Sequence, residues 1–275
     1  MRFAFVVSSG LGYQIPRLFQ DDSSFLKFTE ALQSLRTHGF TGVELNLDSD
    51  EQRVLSRIRE SISKAGLQLA AVGTGLVSAQ RGLSFTDLDP TKRGKALGIV
   101  KGLLRFASSE HAIVVIGLVR GVPPGDINAA SKLLRESLVE CDQTARACGG
   151  RIALEAINRY ETPLLNTAKD VITLIQEEQL AATGLLLDTF HMNIEETSPN
   201  ETIREFASKT VHFHIADSNR WPPGYGHIKF EDALRVLEES GYQGWVSTET
   251  LPKPSNMRAV ADTAKFLSAH GLMDA

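Results

Sequence analysis

Leu185-Leu186-Leu187-Asp188-Thr189-Phe190-His191-Met192-Asn193 is an apolar run that ends in a carboxylate and, three residues later, an imidazole. Such a run reads as a strand shielded on both faces, the mark of a parallel sheet wrapped in helices. Ligands in these folds gather at the carboxyl ends of the strands, so Asp188 and His191 stand where chemistry is expected. Outward from this stretch the periodicity switches repeatedly between about two and about 3.6. β-rich runs fall at 3–7, 42–47, 68–73, 112–118, 151–157, 183–188, 211–216 and 244–248, and amphipathic runs at 24–37, 49–65, 90–107, 128–147, 167–179, 202–208, 230–240 and 257–269. Strict alternation over 275 residues, near the ~250 typical of the class, predicts an α/β fold of the (β/α)8 TIM-barrel type rather than an open doubly wound sheet. Gly39, Gly66, Gly149 and Gly241 read as helix stops leading into strands, and no Pro- or Ser-rich linker divides the chain. One domain over 1–275 is therefore expected.

The net charge of −4 offers no basic footprint for a nucleic-acid backbone. The apolar start is too short for a signal peptide and no run spans a bilayer, so a cytoplasmic protein with a small-molecule partner is expected, with neither nucleic acid nor membrane. Cys141 and Cys148 lie seven apart in one predicted helix, about 10 Å along its axis and beyond the ~7 Å reach of a disulfide; both read as half-buried thiols. Gly73-Thr74-Gly75 and Gly10-Leu11-Gly12 lack the rest of a dinucleotide fingerprint and no P-loop occurs, which argues against a nucleotide cofactor.

At the carboxyl ends of the fifth to eighth strands stand Glu155, Asp188, His214 and Glu249. Taken singly each has an ordinary explanation: Asp188 a turn or helix cap, Glu155 and Glu249 solvated carboxylates, His214 a hydrogen-bonded core histidine. Together they point to a divalent cation, because three clustered carboxylates repel one another without one. An oxygen-rich set suits Mn2+ or Mg2+ better than a structural zinc, with Co2+ or Fe2+ able to substitute; manganese is expected. The cap explanation of Asp188 holds only if the other three point elsewhere. His212, one layer deeper, reads as a satisfied core histidine. Glu161, His191 and Arg220 are placed to hold a substrate, or else to form surface salt bridges.

The blocks Glu155-Ala156-Ile157-Asn158-Arg159-Tyr160-Glu161-Thr162, Asp188-Thr189-Phe190-His191-Met192-Asn193-Ile194-Glu195-Glu196 and His212-Phe213-His214-Ile215-Ala216-Asp217-Ser218-Asn219-Arg220-Trp221 resemble the xylose-isomerase-like barrels. Within them, the sequence is similar to the ketose 3-epimerases of the D-tagatose and D-psicose type, closest to the 5-keto-L-gluconate epimerase branch. The resemblance implies that Glu155, Asp188, His214 and Glu249 hold one Mn2+-type ion. It makes Glu155 and Glu249 also the catalytic acid/base pair, and Glu161, His191 and Arg220 the contacts to the substrate's C1 and C2 oxygens. It implies a keto sugar or keto-aldonate inverted at C3 through a cis-enediolate, and association into homo-oligomers. The strand ends at Gly73-Thr74-Gly75 and Gly117-Leu118-Val119-Arg120 depart from the ordinary ketohexose enzymes, and Arg120 is a candidate partner for a substrate carboxylate. The alternatives are an aldose-ketose or hydroxypyruvate isomerase on the same site, an abasic-site endonuclease, for which strands three and four lack the extra histidines, and a non-catalytic sugar sensor.

Overall fold

A computed structural model describes residues 1–16, 19–122 and 125–273. Eight parallel strands form the core: β1 (Arg2–Ser8), β2 (Gly42–Asn46), β3 (Gln68–Gly73), β4 (Ile113–Ile116), β5 (Ile152–Glu155), β6 (Thr183–Asp188), β7 (Thr210–Ile215) and β8 (Trp245–Thr248). Each pairs with its neighbours in sequence, and β1 also pairs with β8, Arg2 opposite Trp245 and Phe5 opposite Thr248. That last pairing closes the sheet into the expected barrel and removes its edges.

The chain returns through α1 (Asp22–Thr37), α2 (Gln52–Lys64), α3 (Gly75–Arg81), α4 (Pro90–Ser109), α5 (Ile127–Cys148), α6 (Ala168–Glu177), α7 (Thr189–Glu195), α8 (Pro199–Phe206), α9 (Phe230–Glu239) and α10 (Asn256–Ala269). Their ends follow local chemistry. Asp126 caps α5 by accepting from the Asn128 N–H, and Thr167 and Asp170 form a reciprocal capping box on α6. Gly149 stops α5 in the left-handed region, φ 69°, where a side chain is disfavoured. The periodicity missed α3 and α7, because seven residues make too few turns for an apolar stripe to show. It also missed a two-residue strand, Tyr13–Gln14, beside the end of β1. No helix among the described residues is long and apolar enough to cross a membrane. Both cysteines are free; Cys141 is buried, not half-buried as expected, and Cys148 is half-buried.

Side chains alternate along the strands, with an irregularity between β2 and β3, where the pairing skips Ala70. One set, including Phe5, Leu45, Val114, Leu154, Leu187 and Phe213, packs outward under the helices in the main core. The inward set makes small clusters, Ala71, Ile113, Val115, Ala153 and Leu186 above, Ala4, Ala70 and Trp245 below. Trp245 plugs the lower end because Gly42 yields the space: a Cβ there would come within 2.5 Å of the indole.

Arg120 overturns one expectation. It ends a 3-10 turn, Leu118–Arg120, that follows β4, and its side chain is fully buried. The guanidinium donates to the carbonyls of Gly117 (3.0 Å), Leu164 (3.0 Å), Ile116 (3.2 Å) and Glu155. It is thus committed to main chain and cannot meet a substrate carboxylate. Burial draws its pKa down to about 10, against the opposing pull of Glu155, and it stays cationic at neutral pH. Arg120→Ala would take this side-chain donor from the four buried carbonyls, of which Gly117 keeps the residue's own backbone N–H, so we expect a loss of about 3–5 kcal/mol in urea unfolding. A loss below ~1 kcal/mol, the range of ordinary surface changes, would show that the guanidinium does not tie the strand ends.

Candidate metal centre and substrate cavity

β5 ends on Glu155 and β6 on Asp188; His214 is the penultimate residue of β7, and Glu249 follows β8. The ladder sets Asp188 directly opposite His214. One ligand atom from each of the four residues lies within 4.8 Å of the others. His214 Nδ1 stands 4.0 Å from Glu155 Oε1, 4.0 Å from Asp188 Oδ2 and 3.6 Å from Glu249 Oε2. Glu155 Oε1, Asp188 Oδ2 and His214 Nδ1 are buried with no hydrogen-bond partner among the described residues. Orphaned buried polar atoms are costly, and three converging on one point fit a divalent cation, with three oxygen ligands and one nitrogen.

Asp188 settles its two sequence explanations by dividing its oxygens. Oδ1 accepts from the Phe190 N–H at 2.8 Å, capping α7, while Oδ2 is the orphan that faces the centre. Cap and ligand position coexist, contrary to the expectation that one would exclude the other.

Electrostatics favours a cation here. Burial raises the pKa of Asp188. Burial would raise Glu249 too, but His214 and Arg220 outweigh it and hold that carboxyl at about 2. Burial works against charge on His214, yet Glu44 and Glu249 prevail and hold it well above the ordinary imidazole range. For His191 burial is likewise overcome by Asp188 and Glu155, which draw its pKa up; a cation among those carboxylates would cancel that pull.

The residue the sequence reading missed is Glu44, on β2 and 1% exposed. Its carboxylate reaches across the barrel interior to His212 Nε2 (2.8 Å) and His214 Nε2 (3.1 Å), and Ser247 Oγ lies 3.1 Å from the same His212 nitrogen. Burial pushes Glu44 up, but the two imidazoles override it and keep it ionised. Glu44, His212 and His214 are themselves close enough to suggest a metal group, but their facing atoms already bond one another. With Nε2–H given to Glu44, His214 would offer its Nδ1 lone pair to the centre once a cation takes the place of the proton there, the arrangement by which a carboxylate orients a ligating histidine. The available signal was a charge inside Gly42-Val43-Glu44-Leu45-Asn46, on an otherwise inward, apolar strand position. His212 is satisfied at Nε2 only; its Nδ1 has no partner among the described residues.

Above the centre opens a cavity lined by Glu155, Glu161, His191, Arg220 and Glu249, with Leu11, Leu76, Ala79, Leu118 and Ile157 forming an apolar wall. Arg220 donates to Glu161 Oε1 (2.8 Å) and Glu249 Oε2 (3.0 Å) and stacks 4.8 Å from the Phe190 ring. Its backbone lies in the left-handed region, φ 59°, held by its N–H bond to the Asp217 carbonyl and by the Leu251 N–H on its own carbonyl. His191 Nε2 is 3.5 Å from Glu155 Oε1. Gly117 lies beneath Glu155: a Cβ there would sit 2.5 Å from its Oε2, so the carboxylate would have to shift. All seven residues singled out from the sequence therefore converge on one mouth.

A family model described as xylose isomerase-like TIM barrel matches residues 32–270. The chain belongs to the xylose isomerase-like TIM barrel family. It is 28% identical over 259 residues to D-psicose 3-epimerase of Enterocloster bolteae, covering 89% of this chain and 83% of that one. To D-psicose 3-epimerase of Ruminiclostridium cellulolyticum it is 39% identical over 196 residues, 66% of each chain. A crystal structure of D-psicose 3-epimerase with D-tagatose from Clostridium cellulolyticum H10 matches its fold with TM-score 0.78 at 24% identity, over 99% of this chain and 100% of that one.

If Glu44 orients His214, Glu44→Gln weakens Mn2+ binding roughly 10–100-fold while circular dichroism stays unchanged. Calorimetric titration of the folded variant reads this, and parental affinity would remove Glu44 from the centre.

Proposed function

We propose that the protein is a divalent-metal-dependent ketose 3-epimerase acting on a neutral keto sugar as one barrel domain. The reading is carried by the convergence of Glu155 and Glu249, from β5 and β8, on a cluster of orphaned buried ligand atoms. The named relatives, sugar 3-epimerases, support the same class.

Glu155, Asp188, His214 and Glu249 would hold the cation, with Mn2+ favoured by the donor set. Once bound, it supplies Lewis-acid polarisation of a ketone and compensation for the negative charge that follows deprotonation. One glutamate takes the C3 proton and the other returns a proton to the opposite face, so that the C3–H bond broken on one side is remade on the other. Approach from strands separated by β6 and β7 gives the two carboxylates different directions onto the substrate. Glu161, His191 and Arg220 position its C1 and C2 oxygens.

A neutral substrate follows from the charges around the cavity. Among its described lining residues the one Lys or Arg is Arg220, already paired with Glu161 and Glu249. With Arg120 bound to main chain, a keto-aldonate carboxylate would meet no unpaired Lys or Arg among the described lining residues.

Incubating the Mn2+-loaded enzyme with D-psicose, D-tagatose or L-ribulose in D2O places deuterium at C3 if this reading holds. Deuterium at C1 would mean an aldose-ketose isomerase, and bound sugar without exchange a sensor. Glu155→Gln and Glu249→Gln each abolish C3 epimerisation with the fold retained; near-parental epimerisation in both would overturn the assignment.

A further inference from the structure

Asn158, three residues past the end of β5, is 1% exposed and sits behind His191. Its Oδ1 accepts the Tyr160 backbone N–H at 3.0 Å. A backbone N–H can only donate, so the amide is oriented and its nitrogen must face the other way. That nitrogen lies 3.1 Å from Glu161 Oε1 and 2.7 Å from His191 Nδ1. Glu161 takes one amide hydrogen and the other points at the imidazole. The Asn158 backbone N–H is directed at the same Nδ1, at 3.4 Å. His191 Nδ1 thus faces two donors and must offer a lone pair, which leaves the ring proton on Nε2, the nitrogen nearest Glu155 and the cavity.

We propose that Asn158 is a positioning residue that holds His191 as its Nε2–H tautomer, making it a hydrogen-bond donor to a substrate oxygen and disqualifying it as a ligand of the cation. The device is the reverse of that at His214. There an acceptor, Glu44, stands behind the ring and frees its lone pair for the centre; here a donor stands behind the ring and turns its proton inward. Two histidines in one mouth take opposite roles because their rear neighbours have opposite hydrogen-bonding character. His191 Nε2 lies 3.9 Å from Asp188 Oδ2, outside the four-residue ligand group, and its proton reinforces that exclusion. The substrate role rests on the function proposed above; the tautomer does not.

The test is 15N NMR of the imidazole nitrogens in the Mg2+-loaded, full-length protein. In the parent we expect His191 Nδ1 unprotonated and Nε2 protonated. Asn158→Asp, which puts an acceptor behind the ring, reverses the assignment, and Asn158→Leu, which leaves only the longer backbone N–H contact at 3.4 Å, weakens the preference and mixes the tautomers. Nδ1 protonated in the parent, or the parental tautomer kept in both variants, overturns the proposal. Asn158→Leu covers the case in which aspartate beside Glu161 prevents folding. For the ketose that exchanges at C3, Asn158→Leu raises KM roughly tenfold, the effect of one lost neutral hydrogen bond. Reversed tautomers with an unchanged KM would uphold Asn158 and remove His191 from substrate binding, so the two failures are distinct.

Discussion

Like charges gathered in a dry place constrain this molecule more than any other feature. Glu155, Asp188 and Glu249 each bring an oxygen within 4.8 Å of the others. At such a distance two like unit charges repel by roughly 3 kcal/mol even with an effective dielectric constant of about 20. The surroundings answer that repulsion. Arg220 bridges Glu161 and Glu249 from above, His214 lies between the carboxylates, and Arg120, beneath, anchors the Glu155 carbonyl. What these groups leave over is a set of orphaned ligand atoms whose natural complement is a cation.

The eight strands were legible because a parallel barrel strand is buried on both faces and so reads as an apolar run, and because the chain alternates without interruption. The strand-end residues were legible for a related reason. A carboxylate directly after such a run, as at Leu185-Leu186-Leu187-Asp188, has no other obvious cause. Elements shorter than two helical turns carry too little pattern, which is why α3 and α7 escaped notice.

What stayed hidden depended on partners distant in sequence. Glu44 and His214 are separated by 170 positions, and a lone charge within a strand does not announce which imidazole it will orient. Arg120 misled for the opposite reason: an arginine after a strand looks solvent-bound until the carbonyls it serves are seen, and these belong to three separate turns of chain. Asn158 lay inside a motif that was read, yet its meaning is the direction of one amide, fixed by the Tyr160 N–H. Asp188 shows a subtler limit, since its two candidate roles were treated as rivals although a carboxylate has two oxygens.

Arg220 holds a left-handed backbone, φ 59°, which costs a residue with a Cβ about 1–2 kcal/mol. Glycine or asparagine would sit there more comfortably. That strain is smaller than the roughly 3–5 kcal/mol lost when one partner of a buried charge pair is removed, so the guanidinium that spans Glu161 and Glu249 holds the backbone in a conformation it would not otherwise adopt. Engineering toward a sturdier catalyst should leave it alone and seek its gains on the outer helices instead.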